Sequence, residues 1–556
     1  MSAIRAEVDE HAPSLTAASS RRLPGAGGGR SALLRFYTGV LPLLLIALGV
    51  WMRLYQWNFG RSLWLDEALV ARSLVSRNFV ELVSAPLAGD QAAPVGWLFA
   101  SRASITLFGE SEQALRLPAL LAGLLALVLA WRLARRLLPP VLIPVALTIV
   151  VLSPWLLYYS NEVKPYSFDV AAVLVVLLLA LRVPSGAPTR AVLPLAVVGA
   201  VAVWFSFAAI MALAGVSVVL VLVAWARGGL RRALTTALVL ASWVISLGVA
   251  YVTVLERLRS TSTLAVYWRF TFPEANESLL DWLGERVVAL VSNPLELQPL
   301  WLAVLLVVVG ALRLARARPY EWALACSVIA MAVVAAALKA YPMDGRLALW
   351  LVPIAALALA AVVPVRLRPD DSPWPGSTAT TAGVVVALLA VGVAVAPAAA
   401  KSLPQAVQPH RLQELRPLME RLAAEQQPGD IILTGLATQA PYDFYTPRTG
   451  VARDGVIVLT TKPEGGCKDP VALRAGGFAA GRVWVVIAHQ LDDAQRQATT
   501  EDMFARIEDV TTRAKTLRET GAFAVLFDPS AAPELGADAP VDRNPDRCLL
   551  INRRPR

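Results

Sequence analysis

The stretch Arg61-Ser62-Leu63-Trp64-Leu65-Asp66-Glu67-Ala68-Leu69 sets two adjacent carboxylates among apolar neighbours, just after the first long hydrophobic run. A carboxylate partly dried at a membrane surface is costly unless a cation or a substrate compensates it, so the pair is a candidate for chemistry. The plain structural alternative is a helix start, where the macrodipole favours acids. Three other stretches place charge between hydrophobic runs: Glu162 and Lys164 before Pro165 and Tyr166, Arg116 just before Pro118, and Lys339, Asp344 and Arg346 around Tyr341-Pro342-Met343. Taken singly, Lys164 and Arg346 are equally accounted for by snorkelling to lipid phosphates. Together with the acids they suit a lipid-linked phosphate whose other substituent is transferred. Basic side chains would hold the departing phosphate, and a carboxylate would take the proton from an attacking hydroxyl. No glycine-rich phosphate-cradling loop follows a strand, so no soluble nucleotide donor is implied.

The elements that must position these residues are membrane spans. Of the 556 residues, 56% are hydrophobic, and several runs of about 20 apolar residues are long enough to cross a bilayer. The formal charge of +10 does not point to nucleic acid, because the arginines cluster between apolar runs: Arg132/Arg135/Arg136, Arg182/Arg190, Arg227/Arg231/Arg232, Arg313/Arg316/Arg318 and Arg366/Arg368. That pattern marks cytoplasmic loops. Residues 1–30, rich in Ala, Ser, Gly and Arg, read as a disordered cytoplasmic tail without a signal-peptide cleavage site. Residues 31–399 then read as a polytopic α-helical domain of about 11 crossings. The 191–226 run is split near Trp204-Phe205-Ser206-Phe207, and extracytoplasmic loops fall at 55–111 and 256–297. Amphipathic pieces at about 63–83 and 94–108 read as helices on the membrane surface.

Residues 400–556 change character. Short apolar runs at Ile431, Val456, Val483 and Ala522 alternate with helical patterns at about 411–426 and 491–519. This predicts an extracytoplasmic α/β domain with a largely parallel sheet. Of three cysteines, Cys326 lies in an apolar run and reads as a small buried hydrophobe, while Cys467 and Cys548 are candidates for a disulfide in an oxidising compartment. His11, His410 and His489 are scattered, with no zinc or haem spacing.

Trp64-Leu65-Asp66-Glu67-Ala68, Ala114-Leu115-Arg116-Leu117-Pro118, Asn161-Glu162-Val163-Lys164-Pro165-Tyr166, Tyr341 to Arg346 and Pro428-Gly429-Asp430 occur in this order along the chain. Together they resemble the GT-C membrane glycosyltransferases, in the branch of the protein O-mannosyltransferases and the lipid A aminoarabinose transferase. The resemblance implies many transmembrane helices with outer amphipathic helices capping a cavity; the odd number of crossings from a cytoplasmic amino end places the carboxyl-terminal domain outside the plasma membrane. The resemblance also implies a polyprenyl-phosphate sugar donor, transfer with inversion, and a glycan, lipid or protein acceptor of the cell envelope. Carried over by position, Asp66 would be the general base, with Glu67 beside it and Glu162 as the acid of the second loop. Lys164, Tyr166 and Arg346 would bind the donor phosphate; Arg116 would support them or pair with the acids. Some relatives use a divalent metal near these acids, which here would fall to Asp66 and Glu162, and others use none. This chain has Glu where the family's second-loop acid is Asp. A transporter or lipid flippase is the alternative class, but the span interiors carry few charges and no internal repeat is evident.

Overall fold

The computed structural model describes residues 32–256, 267–367, 378–451, 456–460, 481–488, 504, 508, 512–530 and 550–552. Cys467 and Cys548 lie outside these residues. Helices dominate. Among the described residues six are long and apolar enough to cross a membrane: Ala32–Phe59, Glu112–Leu137, Ala208–Val254, Leu300–Ala317, Pro319–Ala337 and Thr381–Ala406. Shorter apolar helices, among them Tyr166–Ala180, Thr189–Ala202 and Leu351–Ala361, pack between them.

Four elements position the charged residues. Helix α1 (Leu41–Phe59) ends on Gly60, and α2 (Leu65–Ser76) starts at once, with Asp66 and Glu67 in its first turn as the dipole favours. Helix α3 (Glu112–Leu137) is capped by the Ser111 hydroxyl, which accepts from the Ala114 amide, and carries Arg135 and Arg136 in its last turn. Helix α4 (Tyr166–Ala180) follows Pro165 and buries most of one face against its neighbours. Further along, the expected split near Trp204–Phe207 is a turn, after which Ala208–Ala250 runs on as one element broken at Gly229. Gly229 has φ 70°, which suits a residue without Cβ. The break sits among Arg227, Arg231 and Arg232, so the chain reverses where the basic cluster lies.

The loops holding Asp66, Glu162 and Arg346 meet one another, and α3 runs from Arg116, beside Glu67, to Arg135 and Arg136 in its last turn at the opposite end. There the arginine-rich turns meet, Arg136 donating to the Leu181 carbonyl, Arg232 to that of Gly186 and Arg318 to that of Leu367. Between Asp66 and Arg116 the expected surface helices are Leu65–Ser76 and Val95–Phe108. They are less peripheral than their pattern suggested: Trp97 is buried, and Phe99 packs edge-on against Phe79. Cys326 is corrected in the other direction, being exposed on the outward face of Pro319–Ala337.

After Ser402 the chain forms a six-stranded sheet of order β4-β5-β3-β1-β2-β6. Its strands are β1 (Ile431–Gly435), β2 (Val456–Thr460), β3 (Val483–Ala488), β4 (Arg513–Glu519), β5 (Ala522–Phe527) and β6 (Leu550–Asn552). The expectation of a largely parallel sheet needs correction. Only β1 with β2 and β1 with β3 are parallel, and the other three pairings are antiparallel. Residues 513–519, expected to end a helix, are strand because the tight Thr520-Gly521 turn (Gly521 φ 66°) folds them back on β5. Among the described residues two helices pack on the sheet, α5 (Leu415–Glu425) and α6 (Leu436–Thr449).

Candidate functional site

The two adjacent acids go to different places. Glu67 is fully buried beneath α2. It accepts from Arg116 Nε at 2.8 Å and Nη2 at 2.6 Å, and from the Val163 amide at 2.8 Å. Burial pushes its pKa up, but the Arg116 charge and these hydrogen bonds override that and leave it below the usual carboxylate range. The rest of the Arg116 guanidinium donates to the Arg61 and Ser62 carbonyls at 2.6 and 3.3 Å. Arg116 therefore ties three segments together from inside. Of the two roles expected for it, pairing with an acid is the one its geometry serves. Glu67, expected among the catalytic acids, has both oxygens hydrogen-bonded and no exposed surface. Successive helical residues are about 100° apart, so one of the pair had to turn inward.

Asp66 turns the other way, with its side chain 18% exposed. Arg346 Nη1 donates to its Oδ2 at 2.7 Å, and Lys164 Nζ lies 3.9 Å from the same oxygen. Arg346 is held over two rings, its guanidinium carbon 5.7 Å from the Tyr166 centroid and 5.6 Å from that of Trp268. Burial would lower the Arg346 pKa, but Tyr166, Asp66 and their neighbours raise it, so it stays a cation. Lys164 is nearly buried and donates to Gln91 Oε1 at 2.5 Å. Burial lowers its pKa, with Asp66 pulling the other way and Arg346 reinforcing the drop. Such an ammonium gains strongly from an incoming anion.

Glu162 is fully buried between these groups. The Trp64 indole donates to its Oε1 at 2.5 Å, while Oε2 is buried with no hydrogen-bond partner among the described residues. Burial first, then the nearby Glu67 charge, raises its pKa to about 7 against the pull of Arg61. A resident metal on Asp66 and Glu162 would need a third ligand. Among the described residues no three His, Cys, Asp or Glu side chains come together as a metal site. Two cations already face Asp66, and this donor set does not fit a metal.

Several residues that complete the site were not foreseen. Trp64 and Gln91 orient Glu162 and Lys164, and Trp268 stacks on Arg346. The loop before Asp66 is also held from the carboxyl-terminal region. The Leu63 amide donates to the Tyr445 hydroxyl at 2.6 Å, and that hydroxyl donates to Glu112 Oε1 at 2.9 Å. Ser62 Oγ meets Glu414 Oε2 at 3.2 Å, and Arg416 donates to Glu112 at 2.8 Å. Only a composition cue existed for these: polar residues in an otherwise apolar α5–α6 face.

Residues 91–252 match the family described as dolichyl-phosphate-mannose-protein mannosyltransferase. Among solved structures, ArnT from Cupriavidus metallidurans in the apo state has a TM-score of 0.50 at 14% identity, covering 92% of this chain and 100% of that one. The same protein bound to undecaprenyl phosphate has a TM-score of 0.47 at 14% identity, with 92% and 100% covered. The archaeal oligosaccharyltransferase AglB from Archaeoglobus fulgidus, in complex with an inhibitory peptide and a dolichol-phosphate, has 0.43 at 13% identity, with 93% and 76% covered. No curated protein sequence matches significantly. The fold is thus ArnT-like, and the chain is a multi-pass membrane protein.

Proposed function

We propose that this protein transfers a sugar from a polyprenyl-phosphate-linked donor to a glycan, lipid or protein acceptor of the cell envelope. Transfer takes place on the outer membrane face, with inversion at the anomeric carbon. The observation that carries the reading is the convergence of Asp66, Lys164 and Arg346, brought from three separated loops to within 3.9 Å of one carboxylate oxygen. The matched family's name supplies the donor class. The arginine clusters at the opposite bundle end support an outward-facing site, since basic loops stay in the cytoplasm.

In the reaction, Asp66 takes the proton from the acceptor hydroxyl as its oxygen bonds to the anomeric carbon. The bond between that carbon and the phosphate oxygen breaks with its electron pair going to the phosphate. Attack from the face opposite the leaving phosphate gives inversion. Lys164 and Arg346 receive the growing phosphate charge, in a setting dry enough to make that interaction strong. Glu162 and Trp64 fix the wall between them, while Glu67 and Arg116 hold the first turn of α2 against the 162–164 loop. The test is polyprenyl phosphate release by the purified protein in nanodiscs, offered a panel of polyprenyl-phosphate sugars. At least one donor is consumed, and Lys164→Gln slows its consumption by about 100-fold or more, the usual scale for removing one preorganised donor. No release from any donor, or full activity in Lys164→Gln, refutes the reading.

A further inference from the structure

A second cavity, of about 350 Å³, lies where the far end of α2 meets α6. It falls in the size range of small-molecule sites, roughly 300–1,000 Å³. Its wall joins Arg72, Ser76 and Arg77 from the outer loop to Asp443, Phe444 and Arg448 from the carboxyl-terminal region. Three guanidinium groups thus share one cavity with a single lining carboxylate.

Each arginine is held differently. Arg448 lies flat over the Phe444 ring, 3.9 Å from its centroid, and is fixed by the Phe444 carbonyl and Glu110 Oε2, both at 2.6 Å. Arg77 donates to the Ala85 and Pro86 carbonyls at 3.2 and 2.9 Å. Both bonds come from Nη1, and neither carbonyl neutralises the charge. Arg72 meets Asp443 across 3.4 Å, with both side chains partly exposed. Such a partly exposed contact is weak and is readily exchanged for a better anion. Preoriented arginines around an unneutralised charge match a planar or tetrahedral oxyanion.

The same helix connects this cavity to the candidate site. Six positions on, Arg72 lies about 9 Å along the helix axis from Asp66 and about 120° around it. That is roughly the span from a reacting hydroxyl to a charged group one or two sugar units away.

We propose that this cavity is an acceptor subsite that binds an anionic group, a phosphate or a carboxylate, on a cell-envelope glycan whose hydroxyl is presented to Asp66. The proposal rests on the glycosyltransferase reading and adds the acceptor's class. An incoming anion displaces Asp443 from Arg72 and is shared with Arg77 and Arg448.

The test is equilibrium binding to the full-length protein in nanodiscs. The probes are a short glycerol-phosphate oligomer, a glucuronate oligosaccharide of similar length and a neutral glucose oligomer. The expected result is at least tenfold tighter binding of one anionic probe than of the neutral one, and the better probe tells phosphate from carboxylate. Arg72→Gln should weaken that binding about tenfold. Asp443→Asn, which removes the competing carboxylate without touching the arginines, should tighten it several-fold at unchanged melting temperature. If the neutral probe binds as well, if no probe binds, or if Asp443→Asn and Arg72→Gln both leave affinity unchanged, the subsite is refuted. Polyprenyl phosphate release by the same wild-type preparation is scored separately: anion binding without release would sink the transferase reading and leave the cavity's ligand class standing.

Discussion

Asp66→Asn separates two effects that the geometry predicts with opposite signs. The substitution is isosteric and removes only the negative charge. As a base, Asp66 supplies what general-base catalysis typically gives, about 10²–10⁴ in rate, so kcat should fall by that factor. As an anion, Asp66 also occupies the two cations assigned to the leaving phosphate, through Arg346 at 2.7 Å and Lys164 at 3.9 Å. A hydrogen bond to a charged group contributes about 1.5–3 kcal/mol. Both Asp66 and Arg346 retain some solvent contact, and the lysine distance is long, so about 1 kcal/mol is the reasonable share released. Free polyprenyl phosphate should therefore bind about fivefold tighter to the variant. The assay measures turnover by release of polyprenyl phosphate, and measures the affinity of added polyprenyl phosphate as a product inhibitor or by direct binding. A variant that keeps kcat within about threefold of wild type refutes the base assignment. Slow turnover together with weaker product binding refutes the competition, and would make Asp66 an organiser of the cations.

The other predictions concern the scaffold of the site. Glu67→Gln strands the buried Arg116 guanidinium and should cost about 3–5 kcal/mol in stability, seen as a lower melting temperature; adding Arg116→Met should recover part of it. Glu162 has a folded pKa near 7 against an ordinary value of 4.5. Its contribution to stability is thus complete below about pH 4.5 and is lost as pH rises through 7. Those 2.5 pH units correspond to about 3 kcal/mol. Melting temperature should fall between about pH 4.5 and 7.5 in the wild type and fall less in Glu162→Gln; parallel profiles would count against it. At Gly310 an added Cβ would lie 1.7 Å from the Ala358 carbonyl oxygen, so Gly310→Ala should force two spans apart and lower thermal stability. Gly248→Ala, which meets nothing within 4 Å, is the control.

The spans were legible because their signal is local: length, apolarity and arginines at alternate ends. The Trp204–Phe207 turn could be placed for the same reason, since charge-free runs longer than a bilayer must fold back. The sheet was less legible. Arg513–Glu519 has the charge spacing of an exposed helix and becomes a strand only because β5 lies beside it. Helix α6 holds Pro441 and Pro447, which read as loop punctuation, so nothing local revealed Tyr445 against Leu63, 382 residues earlier. In the site, types and positions were readable but pairings were not. The sequence offers Arg61, Arg116, Lys164 and Arg346 as cations for three acids. Which meets which is decided only in the folded chain: of the two fully buried carboxylates, Glu67 takes the Arg116 chelate and Glu162 the Trp64 indole.

That pairing has a consequence for the proposed reaction. Glu67 and Arg116 cancel in the buried layer, and Glu162 is opposed by Arg61. Around Asp66 itself stand Lys164 and Arg346, two cations and one carboxylate, a single net positive charge. A polyprenyl-phosphate sugar is a phosphodiester with one negative charge, so the resting site matches the donor. Transfer moves the acceptor's proton onto Asp66 and leaves a phosphate monoester, whose charge approaches two negatives near neutral pH. At that moment the site has lost its carboxylate charge and carries two net positives. The charge of the site thus rises in step with that of the leaving group. Stabilisation then grows toward the transition state and is not spent on holding the substrate, which is the condition for an interaction to accelerate the chemistry. Return of the proton from Asp66 to water restores the single charge and weakens the hold on polyprenyl phosphate, so the deprotonation that readies the base also releases the product.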